Sequence, residues 1–256
     1  MIAAILAGGM GTRMQEITTV VPKPMVEIGH RPILWHIMKS YRAAGVKDFA
    51  IALGYRGHVI KQFFLDHARM SGDLRIDMAT GAVTGGLPEE DWIIDLLETG
   101  STAQTGARLA RMKAHLGKET FFLTYGDGVA NIDFQSLLAF HRRAGRIATL
   151  TAVRPPARFG ALHLSGDLVD RFSEKPLDGE DWVNGGFFVC EPAIFDYVDE
   201  GDDCILEREP LERLARNGQL AAFHHPGFWA SMDTVRDQQA LNAIWSKGDA
   251  PWKNWD

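Results

Sequence analysis

The residues best suited to chemistry stand in short stretches spread along the chain. The first is "LAGGMGTRM", residues Leu6 to Met14, directly after a short apolar start. Glycines there (Gly8, Gly9, Gly11) let backbone N–H groups approach phosphate oxygens closely, and Arg13 can add a charged fork to the same oxygens. Lys23 follows in "VPKPM", where Pro22 and Pro24 restrict the backbone on both sides of one cation. Asp127 sits in "YGDGV", with glycines that allow a ligand close access. Asp233 in "SMDT" also reads as a cap or first-turn residue of the last helix. Asn184 in "NGGFFV" is a hydrogen-bonding amide and, with Gly185, a turn signal.

Known phosphate motifs do not account for the first stretch. The dinucleotide fingerprint needs a third small residue where this chain has Met14. The P-loop needs a Gly-Lys-Ser/Thr step that is not present. No G-x-S-x-G nucleophile motif occurs either. The net charge of −6 argues against nucleic acid as a partner, so an anionic ligand must be met by local cations. Cys190 and Cys204 lack metal-ligand spacing, and the nine histidines are scattered. The start "MIAAILAGG" does not read as a signal peptide, and no apolar run approaches the ~18 residues of a membrane span. The expectation is a cytoplasmic protein with no membrane partner.

Positioning these residues requires alternating elements. "AAILA", "KDFAIALG", "LRIDMA", "WIIDLLE", "TFFLTYGDG" and "IATLTAV" read as strands. Helices fall at "RPILWHIMKSYRAAG", "HVIKQFFLDHARM", "ARLARMKAHLG" and "DFQSLLAFHRRAG". This alternation predicts an α/β protein with a largely parallel, helix-covered sheet. After about Val153, "FGALHL", "LVDRF" and "GGFFVC" read as antiparallel strands, before helices at "REPLERLARNG" and "TVRDQQALNAIWSKG". No linker divides the chain. One domain over 1–256 is expected, with an N-terminal half of nucleotide-binding type at about 1–153 and a C-terminal half at about 154–256 laid against it. Trp245, Trp252 and Trp255 gather near the C-terminus and, if exposed, would suit an oligomer interface.

Taken together, "LAGGMGTRM", "PKPM", "YGDGV", "RFGALHL", "EKP", "NGGFFV", "HPGFW" and "MDT" resemble, in order and spacing, the sugar-1-phosphate nucleotidyltransferases. The C-terminal "GDAPWKNW" is similar to their glucose-1-phosphate cytidylyltransferase branch. The resemblance implies a Rossmann-like three-layer fold with a mixed, mostly parallel sheet and an antiparallel C-terminal portion. It also implies Mg²⁺-dependent transfer of a cytidylyl group from CTP to glucose 1-phosphate, giving CDP-glucose, a nucleotide sugar that feeds surface polysaccharides. Asp127 and Asp233 match the metal-binding aspartates. Arg13 and Lys23 match the phosphate-binding cations, within a nucleotide site of Leu6, Ala7, Gly8, Gly9, Gly11 and Thr12. Lys175 and Glu174 of "EKP" match the sugar-phosphate and sugar-hydroxyl residues, with Asn184 and Gly185 beside them. Arg108 in "QTGAR" matches a base or ribose contact. The family more often has glycine at Ala107 and a hydroxyl residue at Ala103. The family also implies a homo-oligomer. Alternative readings are the same chemistry with UTP or another sugar 1-phosphate, or a non-catalytic protein of the same fold.

Overall fold

In the computed structural model, the described residues are 1–9, 14, 21–70, 72–86, 90–155, 161–165, 168–173 and 182–255. A central sheet of seven strands carries the molecule: β1 (Ile2–Leu6), β4 (Asp48–Leu53), β7 (Ile93–Glu98), β8 (Phe121–Tyr125), β10 (Ala148–Val153), β13 (Val183–Cys190) and β14 (Leu220–His225). Their order across the sheet is β14-β10-β13-β8-β1-β4-β7. β13 runs antiparallel to both of its neighbours, and every other adjacent pair is parallel. Four small pairs complete the strands: β2 (Glu27–Ile28) with β3 (Arg31–Pro32), β5 (Leu74–Asp77) with β6 (Ala82–Gly85), β9 (Gly128–Ala130) with β15 (Trp229–Ser231), and β11 (Ala161–Ser165) with β12 (Leu168–Ser173). The C-terminal half is therefore only partly antiparallel. β14, which was not expected as a strand, joins β10 in parallel.

Strand alternation sends side chains to two cores. Ala3, Ile5, Phe49, Ile51 and Leu53 pack on one face of the sheet, with residues of helices α1 (Ile33–Ala43), α5 (Phe134–Ala144) and α7 (Val235–Ser246). Ala4, Leu6, Ala50 and Ala52 pack on the other, against α3 (Thr105–Arg111) and α6 (Glu209–Arg216). The result is the expected three-layer arrangement. Helix α2 (Gly57–Met70) and the single turn α4 (Lys113–Leu116) complete the α-helices among the described residues; the predicted continuous helix over 107–117 breaks at Met112. Helix ends follow local chemistry. The Asp133 side chain caps α5, which closes on Gly145 in the left-handed region, while Thr234 and Asp237 form a capping box on α7.

The C-terminal tryptophans differ from expectation. Trp252 is fully buried, and Trp245 and Trp255 are half-buried, all three ringed about His36 on α1. They pack over α1 as part of this chain's own core.

Candidate active site

The chain leaves β1 toward β4 and β7 on one side, then returns to β8 on the other. This reversal opens a crevice beyond the carboxyl ends of β1 and β8, where α/β sheets bind ligands. The Gly8–Gly9 turn follows β1, and Gly126-Asp127 follows β8. The Gly126 N–H donates to the Leu6 carbonyl at 3.1 Å, so the two turns are stitched side by side. A cavity of about 330 Å³ lies there, with walls that include Gly8, Lys23, Gln104, Arg108, Tyr125 and Asp127. A second cavity, of about 210 Å³, continues past Asp127 toward Asn184, Gly185, Trp229 and Asp233. Tyr125 and Asp127 border both.

Asp233 reaches this crevice through the β9–β15 pair. β15 pairs with the strand that follows Asp127, and the Met232 N–H donates to the Asp127 carbonyl at 2.8 Å. The Asp237 side chain accepts from the N–H groups of Asp233 and Thr234 at 3.0 and 2.9 Å, fixing the entry to α7. Ser231 Oγ donates to Asp233 Oδ2 at 2.8 Å.

Lys23 begins a single 3-10 turn, Lys23–Met25, with Pro24 and Met25 buried. Its Nζ donates to Asp127 Oδ2 at 2.7 Å and to Asp233 Oδ1 at 2.6 Å. Burial opposes the ammonium charge, but the carboxylates of Asp127 and Asp233 outweigh it, and the Lys23 pKa is raised. One cation therefore already bridges the two carboxylates. Two carboxylate oxygens converging on one point are the hard donor set a Mg²⁺ ion takes, together with substrate phosphates and water. Among the described residues, no group of three or more His, Cys, Asp or Glu gathers at a metal-sized site.

Arg108 is buried, and its guanidinium is spent on the scaffold. Nη1 donates to the Leu53 carbonyl at 3.0 Å, to Thr99 Oγ1 at 2.9 Å and to the Gly100 carbonyl at 2.7 Å; Nη2 donates to the Gly8 carbonyl at 2.9 Å. It thus lines the larger cavity while tying the loops after β1, β4 and β7 together. A Cβ on Gly8 would overlap this guanidinium, which is why glycine is needed there. Ala103 lines the cavity, whereas Ala107 is fully buried on α3 and borders neither cavity. Asn184 Oδ1 accepts from the Gly186 N–H at 2.9 Å, and Trp229 Nε1 donates to the Gly185 carbonyl at 2.7 Å. Asn184 is a strand residue here, and the turn it signals is a local irregularity in the β10–β13 register.

The fold thus brings Leu6, Ala7, Gly8, Gly9, Lys23, Arg108, Asp127, Asn184, Gly185 and Asp233 to one continuous crevice. Gly11, Thr12, Arg13, Glu174 and Lys175 lie outside the described residues. Sequence reasoning left Tyr125, Thr105 and Glu207 unassigned. The available signal for Tyr125 was its place at the end of a strand, two residues before Asp127.

Residues 2–236 match the nucleotidyl transferase family, and the chain belongs to it. It is 48% identical over a 258-residue alignment to the glucose-1-phosphate cytidylyltransferases of Salmonella typhi and Salmonella typhimurium, covering 100% of both chains in each case. The crystal structure of a UDP-glucose pyrophosphorylase complexed with UDP-glucose has the same fold, with a TM-score of 0.67 at 17% identity, over 96% of this chain and 98% of that one.

Proposed function

We propose that this enzyme transfers a cytidylyl group from CTP to glucose 1-phosphate, forming CDP-glucose and pyrophosphate. The observation that carries this reading is the full-length 48% identity to glucose-1-phosphate cytidylyltransferases. The crevice geometry supports it. A phosphate oxygen of glucose 1-phosphate forms a bond to the α-phosphorus of CTP as the bond to the β-phosphate bridging oxygen breaks. The electron pair leaves with pyrophosphate. The nucleophile is already anionic, so no general base is needed, and catalysis rests on positioning and charge neutralisation. The backbone at Gly8 and Gly9 cradles the triphosphate, and Lys23 neutralises charge at the α-phosphoryl group. Arg108 holds the turn that does the cradling. Asn184 and Gly185 face the hexose in the second cavity. Asp127 and Asp233 would hold Mg²⁺, which supplies positive charge against the phosphate oxygens. Arg13, Glu174 and Lys175 are assigned here on family likeness.

We also place the reaction in the cytoplasm, where nucleoside triphosphates are supplied. The described residues contain no helix long and apolar enough to cross a membrane. Exposed Ile76, Met78 and Val83 on the β5–β6 hairpin support a homo-oligomer, which light scattering on the purified chain tests.

The test is pyrophosphate release with Mg²⁺ and glucose 1-phosphate, comparing CTP, UTP, dTTP, GTP and ATP. Preference for CTP is expected. Equal turnover with UTP would overturn the base assignment, and no turnover with any of the five would overturn the reading.

A further inference from the structure

One ammonium group, that of Lys23, has two sets of partners in the transfer reading. It neutralises charge at the α-phosphoryl group, yet its Nζ stands 2.7 Å from Asp127 Oδ2 and 2.6 Å from Asp233 Oδ1. Those two oxygens are the ones that converge to hold a divalent cation. A third carboxylate oxygen of the pair, Asp233 Oδ2, accepts from Ser231 Oγ at 2.8 Å. A metal ion that takes both carboxylates must therefore displace Lys23.

Lys23 is a tethered competitor for that place. In its 3-10 turn the Met25 N–H donates to the Pro22 carbonyl at 2.8 Å, and the Val26 N–H to the Lys23 carbonyl at 3.1 Å. Pro24 lies against the residue before Asp127, since a Cβ on Gly126 would come within 2.9 Å of Pro24 Cγ. The Lys23 side chain is only 14% exposed. A cation held in this way acts at a high effective concentration, whereas free Mg²⁺ must also shed water, which it does reluctantly.

The alternative partner for the ammonium lies on the nucleotide side. Lys23 borders the larger cavity together with Gly8 and Gly9. Among the described residues that line the two cavities, the other cation is Arg108, and it is spent on the Leu53, Gly100 and Gly8 carbonyls. A triphosphate seated on the Gly8–Gly9 turn offers Lys23 anionic oxygens in exchange for the two carboxylates.

We propose that Lys23 is a built-in counter-ion that closes the Asp127–Asp233 pair to free divalent cations, so that the pair takes its metal together with a nucleoside triphosphate and not before it. The triphosphate draws the ammonium away, and the carboxylates it releases become ligands. The coupling is reciprocal: the factor by which the nucleotide tightens the metal is the factor by which the metal tightens the nucleotide. This inference rests on the transferase reading above.

The experiment measures Mn²⁺ binding directly, by loss of the free-ion electron paramagnetic resonance signal, with no nucleotide present. Lys23→Met is expected to bind Mn²⁺ at least about tenfold more tightly than the wild type, because a hydrogen-bonded charge no longer competes. Lys23→Gln, which keeps a donor and loses only the charge, should tighten less, and it carries the test if Lys23→Met does not fold. The ratio of affinities should survive about 0.5 M NaCl, since a contact between partly buried groups is screened little, whereas the distant field of one missing charge is screened strongly. In an Asp127→Asn background, adding Lys23→Met should bring no gain. A gain below about threefold for the neutral variants overturns the inference. So does a gain that salt abolishes, or one that persists without the Asp127 carboxylate. Absence of wild-type turnover with CTP and glucose 1-phosphate overturns the transferase reading, whereas turnover with unchanged Mn²⁺ affinity in Lys23→Met overturns this inference alone.

Discussion

The Met232 N–H donates to the Asp127 carbonyl at 2.8 Å, and this one backbone contact brings Asp233 beside Asp127. The two carboxylates are thereby set by paired backbone, not by flexible loops. Replacing either should change chemistry without disturbing the fold. Asp127→Asn and Asp233→Asn are each expected to lower kcat by at least about 10²- to 10³-fold, the range for removal of one preorganised electrostatic group. Circular dichroism melting should stay within a few degrees of the wild type. Activity of Asp127→Asn that still titrates with Mg²⁺ as in the wild type would remove that residue from the proposed metal site.

Lys23 supplies the second prediction. Its single nitrogen contacts both carboxylates, at 2.7 and 2.6 Å. Lys23→Met leaves two like charges facing each other with no cation between them. The expected outcome is a large fall in kcat. Lys23→Arg should not restore activity, because the longer, planar guanidinium does not fit the place the compact ammonium holds between the two carboxylates. Rescue by arginine would show that charge alone suffices.

Arg108 makes a prediction about stability as well as rate. Its side chain satisfies carbonyls of Leu53, Gly100 and Gly8 in a buried setting. Arg108→Ala removes these charge-assisted bonds, worth roughly 1.5–3 kcal/mol each, although the Leu53 and Gly8 carbonyls keep N–H donors from Thr99 and Tyr55. A loss of about 3 kcal/mol corresponds to a Tm fall on the order of 10 °C for a chain this long. KM for CTP should rise as well, because the Gly8 carbonyl keeps only the Tyr55 N–H of its two donors. A Tm within 2 °C of the wild type would contradict the clamp.

Much of the layer order was legible because it is written locally. The glycine turn after β1, Pro22 and Pro24 around Lys23, and Asp127 after β8 are each read from a few adjacent residues. What could not be read is what depends on distant contacts. Nothing near Lys23 in sequence indicates that its nitrogen lies between Asp127 and Asp233. That follows from α7 docking on the β2–β3 hairpin, where Asn242 Oδ1 accepts from the Gly29 N–H at 2.9 Å and Trp245 occupies the space a side chain at Gly29 would need. Arg108 shows the same limit from the other side. The family likeness gives it as a base or ribose contact, and nothing near it in sequence shows that its guanidinium binds the Leu53, Gly100 and Gly8 carbonyls at the carboxyl edge of the sheet. β14 went unread because "LAAFHH" is short and its histidines mask the apolar alternation.

His36 carries the last prediction, a dependence of stability on pH. It is fully buried on α1 between Ile28 and the C-terminal tryptophans. Nε2 donates to the Ile28 carbonyl at 2.8 Å, and Nδ1 accepts from Trp252 Nε1 at 3.4 Å, an arrangement that suits the neutral ring. Burial lowers its pKa from 6.5 to about 4, with the nearby Arg31 charge acting in the same direction. Between pH 6.5 and about 4 the unfolded chain therefore binds a proton that the folded chain refuses. The stabilisation this provides is complete above pH 6.5 and is lost as pH falls through that window, by about 3 kcal/mol in total. Glutamine can keep one donor and one acceptor and cannot titrate. His36→Gln should lower stability at pH 7.5 yet flatten the fall between pH 6.5 and 4 by about that amount in urea denaturation. Parallel curves for the two proteins across that window would show that His36 is not the group responsible.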